Sequence, residues 1–299
     1  MTEPVSSDPP RSRVELYARL DANDPRRPWA DPRRSAEYQA YRRQDPNNDN
    51  FAWIIAVPNR EVGFLERDSQ VFSANRNMAF RVAGTSVVTT ARVTSLNDFI
   101  ASGRDYLILR EGNSTEWPST EFPPGTTTYY SVVSRQNALR LIQLTNHANA
   151  ELGLAANPSI FLTTPGNPNI GQINAGRLIG GNGYYINTAL VHAYESDEFY
   201  AAIRHETAHH MLEHGDIANL AHELSADAAS VTSYRPGDRG CDAAILQGAL
   251  QGLRLAEIGQ GEQTDGSSVT HPTIPVRKAR LERYCRNTAP GTGLPSSRH

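Results

Sequence analysis

Residues Ser196 to Leu212 read SDEFYAAIRHETAHHML, and the fold is read outward from them. Phe199 to Ile203 on one side and Met211-Leu212 on the other supply the apolar face of a buried helix, with no proline or glycine to break it. The pattern predicts a helix over about 197–214. Inside it stands His205-Glu206-Thr207-Ala208-His209. Positions i and i+4 on a helix lie about 40° apart, so both imidazoles face one point, while Glu206 lies about 100° round. Six of the nine histidines fall between His205 and His271, which concentrates the chemistry here.

Two imidazoles with a carboxylate beside them suit a zinc ion, one per chain, and a general base for its water. At His and Glu frequencies of about 2% and 6%, such a pattern arises by chance in roughly one chain of this length in a hundred, so context has to carry weight. A third protein ligand is required. The metzincin arrangement needs Gly and His three and six places after His209, where this chain has Leu212 and Gly215. The gluzincin arrangement needs a carboxylate on a following helix, and Glu223-Leu224-Ser225-Ala226-Asp227 offers two on one face. Glu223 is read as the ligand and Asp227 as the partner that holds a zinc histidine by its other ring nitrogen. His210 and His214 project about 140° and 180° from His205 and are read as turned away, His214 capping the helix end before Gly215. His222, about 100° from Glu223, is read as no ligand.

These residues resemble the HtpX and CAAX prenyl protease family of zinc metallopeptidases. Its pattern of HExxH, ExxAD and a histidine-proline pair followed by an arginine is matched by His205 to His209, Glu223 to Asp227, and His271-Pro272 with Arg277. NAGRLIGGNGYYINTALV followed by SDEFYAAIRHE is similar to that family's glycine-containing strand and its acidic entry to the metal helix. The resemblance covers about residues 148–284. It implies zinc on His205, His209 and Glu223, Glu206 as base, Asp227 behind the ligands, and His271 and Arg277 beside the site. It also implies a minigluzincin-like domain of active-site helices and a small sheet. His271 is open between a donor to the developing oxyanion and an exposed loop residue, and Arg277 between a brace for Asp227 or Glu223 and a surface charge. Many relatives have membrane helices or an exported lipid-anchored form, and neither feature is visible here.

Outside the motif the chain reads as α+β. Residues 1–50 are a polar arm without sustained apolar periodicity, read as disordered apart from a short helix near Val14 to Leu20. Residues 51–133 carry Val, Ile, Phe and Thr runs such as FAWIIAV, TSVVTTARV and DYLILR, and form a small β-rich region of unknown role. Residues 134–286 hold the zinc peptidase domain. In it, a helix over 134–154 precedes a strand at Ser159 to Thr164 and a hairpin turning on Asn182-Gly183, whose positive φ angles would make the turn. The second hairpin strand is expected to run from Tyr184 to Leu190, with Tyr184, Tyr185, Ile186 and Asn187 as an edge that holds substrate by its main chain. Helices follow at about 218–233 and 242–258 and after Pro275, and 287–299 is a tail.

A net charge of −3 gives no electrostatic support for nucleic-acid binding. No run approaches the roughly 18 apolar residues of a membrane span, and MTEPVSSDPP lacks a signal pattern, so a cytoplasmic location is the default, with leaderless export left open. Cys241 and Cys285 are the only cysteines, and a disulfide between them is left open. The expected activity is hydrolysis of a polypeptide by a zinc endopeptidase, Glu206 taking the water proton. The alternatives are a regulatory protease with one dedicated partner, and a non-enzymatic binding module stabilised by zinc. Oligomeric state is not legible.

Overall fold

The computed structural model describes residues 15–17, 51–58, 71–72, 77–82, 85–90, 93–104, 106–110, 127–163, 175–178, 181–214, 219–234, 240–260 and 272–288. In chain order the strands and helices are β1 (Glu15–Tyr17), β2 (Ala52–Pro58), β3 (Val71–Phe72), β4 (Asn77–Val82), β5 (Thr85–Thr90), β6 (Val93–Ser95) and α1 (Leu96–Ala101). They continue with β7 (Tyr106–Arg110), β8 (Thr127–Ser134), α2 (Arg135–Glu151), β9 (Ser159–Thr163), β10 (Ala175–Arg177), β11 (Gly183–Asn187) and α3 (Thr188–Ala193). The last four are α4 (Ser196–Met211), α5 (Leu220–Ser230), α6 (Ala243–Gln260) and α7 (Ile274–Thr288). The result is an α+β fold. Its larger sheet runs β1-β2-β8-β7-β5-β4-β3, antiparallel except for β5 against β7. Its smaller sheet runs β10-β11-β9-β6, with β11 and β9 parallel.

Local chemistry explains most boundaries. Ser134 caps α2 by accepting from the Asn137 N–H at 3.2 Å, and Ser95 caps α1 from Asp98 in the same way. Asn187 accepts from the Ala189 N–H at 2.7 Å and starts α3. Residues 188–190, expected to extend the hairpin strand, therefore begin a helix, because a side-chain cap favours the helical turn over a continued ladder. The hairpin of β10 and β11 is present, but Gly183 sits inside β11 and is not among the positive-φ residues. Glycine is required there by space: an added Cβ would lie 2.6 Å from the Ser159 carbonyl oxygen and collide with Leu178. Near the N-terminus, Glu15–Tyr17 is a strand paired with Tyr17 opposite Ile54, not the expected helix. The rest of the polar arm and the tail from 289 lie outside the described residues.

The two halves of the chain share a core. Phe51, Ala52, Leu107, Leu109 and Val133 are buried in one cluster with Ile160, Leu162, Tyr184, Phe199 and Leu255. The Phe51 ring lies 5.3 Å from that of Phe199 on α4, and β6, from the 51–133 stretch, forms an edge of the smaller sheet. The β-rich segment thus packs directly on the helix that bears the histidine pair. Cys241 and Cys285 form a disulfide, Cα atoms 5.0 Å apart, tying the start of α6 to α7. No helix among the described residues is long and apolar enough to cross a membrane.

Candidate metal centre

The site begins with how α4 is held. Glu195 and Glu198 form a reciprocal capping box at its N-terminus, the Glu195 N–H donating to Glu198 Oε2 at 2.8 Å. At that end Gly248 of α6 lies so close that a Cβ would sit 2.5 Å from the Asp197 carbonyl oxygen. Tyr184 of β11, fully buried, bonds through its hydroxyl to Asn149 of α2 and to Thr207 of α4 at 2.9 Å. Burial pushes its phenol up to about 12, so it stays neutral.

Arg204, immediately before the motif, is 1% exposed. It donates to the carbonyls of Ser230 and Thr232 at 2.6 and 2.8 Å and pairs with Glu151 of α2. A guanidinium from α4 thereby satisfies carbonyls at the C-terminal end of α5, where a helix leaves acceptors without intrahelical partners. This fixes α5 against α4. Sequence reasoning passed over Arg204. Its partners lie on α2 and at the end of α5, far from it along the chain.

Asn219 caps α5 by accepting from the His222 N–H at 2.9 Å, and the helix then turns Glu223 and Asp227 toward α4. His205 Nε2 lies 3.1 Å from His209 Nε2 and 3.3 Å from Glu223 Oε2, and His209 Nε2 is 3.5 Å from Glu223 Oε1. All three residues are buried, and their ligand atoms lie within 4.8 Å of one another. A tetrahedral ion with bonds of 2.0–2.2 Å has ligand-to-ligand edges of about 3.3 to 3.6 Å, so this trio is spaced to hold a metal ion. The two imidazoles of the trio differ in their affinity for a proton. Burial and Arg277 oppose protonation of His205, but the hydrogen bonds to Asp227 and Glu223 outweigh them and raise it to about 9. His209, buried and facing His205, is lowered to about 3.

Behind His205, Asp227 Oδ1 accepts from Nδ1 at 2.9 Å. Arg277 of α7 donates to both Asp227 oxygens, at 2.9 and 2.6 Å, and its Nη2 lies 3.3 Å from His205 Nδ1. Burial opposes the Asp227 charge, yet Arg277 and His205 hold the carboxyl well below the usual range. Arg277 is therefore brought to the site as the partner of Asp227. His271 lies outside the described residues.

Glu206 is half-buried beside His205 and accepts a hydrogen bond from the Arg177 backbone N–H of β10. Burial raises its pKa, the charge of His205 opposes, and Glu223 adds to the rise, leaving it at about 7. That is the range in which a carboxylate can both take and return a proton at neutral pH.

Two readings are corrected. The stretch Tyr184 to Asn187 is not an edge, because β11 pairs with β10 on one side and β9 on the other, and its ladder groups are already bonded. Tyr184 and Ile186 point into the core, Tyr185 packs outside against Phe161, and Asn187 caps α3. Among the described residues, the end strand on that side of the sheet is β10, with β6 at the other end. His214 does not use its ring to cap α4. The helix stops at Met211, Glu213 takes a left-handed φ of 52°, and the His214 and Glu213 N–H groups close on the carbonyls of His209 and His210. This turn reverses the direction that helical spacing would give His214, and its Nδ1 comes to 2.9 Å from His209 Nδ1. His210 packs edge-on against Tyr184, 5.7 Å between ring centres. His222 stacks on His214 and lies outside the ligand trio.

No family model, curated protein or solved structure matches the chain.

Proposed function

We propose that the chain is a zinc-dependent endopeptidase of the HtpX and CAAX prenyl protease type, with a minigluzincin-like active-site domain. The observation that carries this reading is the buried His205, His209 and Glu223 trio, whose contacts of 3.1 to 3.5 Å lie close to tetrahedral edges, with the Glu206 carboxyl beside it. Two imidazoles, one carboxylate and an adjacent free base are the donor set of hydrolytic zinc, whereas a purely structural site has no use for the base. Zinc held there would supply the positive charge that acidifies a water molecule and polarises a peptide carbonyl.

The remaining work falls to side chains and main chain. Glu206, oriented by the Arg177 N–H, takes the proton of the attacking water and returns it to the leaving amine. Asp227 holds His205 by its Nδ1–H, so that Nε2 carries the lone pair that faces the ligand point. Arg277 keeps Asp227 ionised. An extended substrate would lie along the outer edge of β10, beside the Arg177 N–H that Glu206 takes, so that its scissile bond would come alongside Glu206. His271 is proposed as a donor to the developing oxyanion.

The test is hydrolysis of an unstructured protein by wild type and Glu206→Gln, with chelator and with zinc restored. Chelator should abolish cleavage and zinc should restore it. The variant should keep one zinc per chain and lose a factor of about 10² to 10⁴. Zinc binding without hydrolysis of any substrate would leave a binding module, and cleavage of a single native partner would identify a dedicated regulatory protease.

A further inference from the structure

Both histidines of the trio have a second ring nitrogen, and only that of His205 has been accounted for. His209 Nδ1 lies 2.9 Å from His214 Nδ1, His214 Nε2 lies 3.1 Å from Ser225 Oγ, and the Ser225 hydroxyl donates to the His222 carbonyl at 3.0 Å. The His222 ring stacks on that of His214, centres 4.2 Å apart and planes 5° apart, which fixes the plane in which His214 meets His209. The turn that brings His214 there is made at Glu213, which adopts a left-handed φ of 52° that a side-chain-bearing residue seldom takes.

We propose that His214 is the positioning residue for His209, accepting its Nδ1–H so that the Nε2 lone pair is aimed at the ligand point. The inference rests on the reading that His209 binds a metal through Nε2. Proton bookkeeping then runs one way along the chain of contacts. A lone pair at His209 Nε2 requires the hydrogen at Nδ1, so His214 Nδ1 must accept. His214 carries its own hydrogen at Nε2 and donates it to Ser225, whose hydroxyl passes its hydrogen to the His222 carbonyl. Each nitrogen and oxygen has one role and none is left in conflict. The two ligand histidines are thus held by separate arms: Asp227 with Arg277 for His205, and His214 with Ser225 for His209. Both arms draw on α5, which also carries Glu223, so a single helix supplies the third ligand and one support for each of the other two.

Two measurements on the full chain test this. Long-range ¹⁵N–¹H spectra of the metal-free protein should show hydrogen at Nδ1 of His209 and at Nε2 of His214; hydrogen at Nδ1 of His214 would overturn the proposal whatever the metal does. Zinc competition against a chelator should show His214→Ala weakening affinity about 10- to 100-fold, with His214→Asn recovering most of it, because the Asn carbonyl can accept where Nδ1 did. Melting of the metal-free protein should be the same for all three, since His214 is only partly buried. Equal zinc affinity in wild type and His214→Ala sinks the proposal while leaving the metal site intact. A wild type that binds no zinc sinks the underlying reading instead, and the spectra still decide the direction of the hydrogen bonds.

Discussion

Asp227→Ala removes one side chain that serves two masters. In the wild type its oxygens take two hydrogen bonds from Arg277, at 2.9 and 2.6 Å, and one from His205 Nδ1 at 2.9 Å, with the side chain 6% exposed. Deleting it strands the Arg277 guanidinium, whose side chain is 17% exposed, without its counter-charge. Breaking a buried pair from one side costs about 3–5 kcal/mol, and at roughly 2–4 °C per kcal/mol the melting temperature should drop by about 6–20 °C. His205 also loses its orienting acceptor, and zinc affinity should drop about 10- to 100-fold. Asp227→Ala combined with Arg277→Met should recover most of the stability, since no charge is then left unpaired, but not the zinc affinity. The assay is thermal and urea denaturation of the single and double variants, metal-free, followed by zinc competition. A loss under about 1 kcal/mol in Asp227→Ala, or strictly additive losses in the double variant, would refute a buried and coupled pair. The sign with pH follows from the direction of the shift. Because the folded carboxyl is depressed, its contribution is complete above about pH 4 and is lost as pH falls further.

Other consequences can be measured independently. Arg204→Met should cost about 2–4 kcal/mol in urea denaturation, because the Ser230 and Thr232 carbonyls lose their donor, while Glu151, partly exposed, keeps the Tyr200 hydroxyl and His147. In metal-free protein, raising the pH from about 4.5 to about 7 should lower stability, since the folded Glu206 carboxyl holds its proton to about 7; Glu206→Gln should flatten that decline. Gly248→Ala should destabilise by about 1–3 kcal/mol by driving α6 off the Asp197 carbonyl, seen as a lower melting temperature. Opening the Cys241–Cys285 link, which spans 44 residues, should cost up to about 4 kcal/mol, read as a shift of the urea midpoint with reductant or in the double serine variant.

Much of this molecule is local and was legible from residue order. The α4 histidines lie i and i+4 apart, Glu223 and Asp227 lie i and i+4 apart, and a helix has only one way to display such pairs. The FAWIIAV and SIFLTT strands, the hairpin and the helix over Arg135–Glu151 likewise follow from periodicity and caps within one stretch. Errors arose where the next element decides. Periodicity reads residues 188–190 as strand, but they open α3 because Asn187 caps them, and it reads Gly183 as a turn residue, whereas its constraint is the Ser159 carbonyl of another strand.

By itself, then, the sequence determined which residues can share a helix face, His205 with His209 and Glu223 with Asp227, because 3.6 residues per turn is a property of the backbone alone, whereas the meeting of the two pairs is decided by how α5 packs on α4. Only the tertiary structure decided what stands behind each ligand. Arg277 reaches Asp227 across 50 residues, and Arg204 reaches Ser230 from another helix. His214 returns to His209 only because the chain leaves the helix at Glu213. The choice of β10 as the end strand depends on β9 pairing with β11. Such contacts join groups whose separation along the chain carries no periodic signature. They are set by packing, by burial of unlike charges together, and by the need of every buried polar atom for a partner.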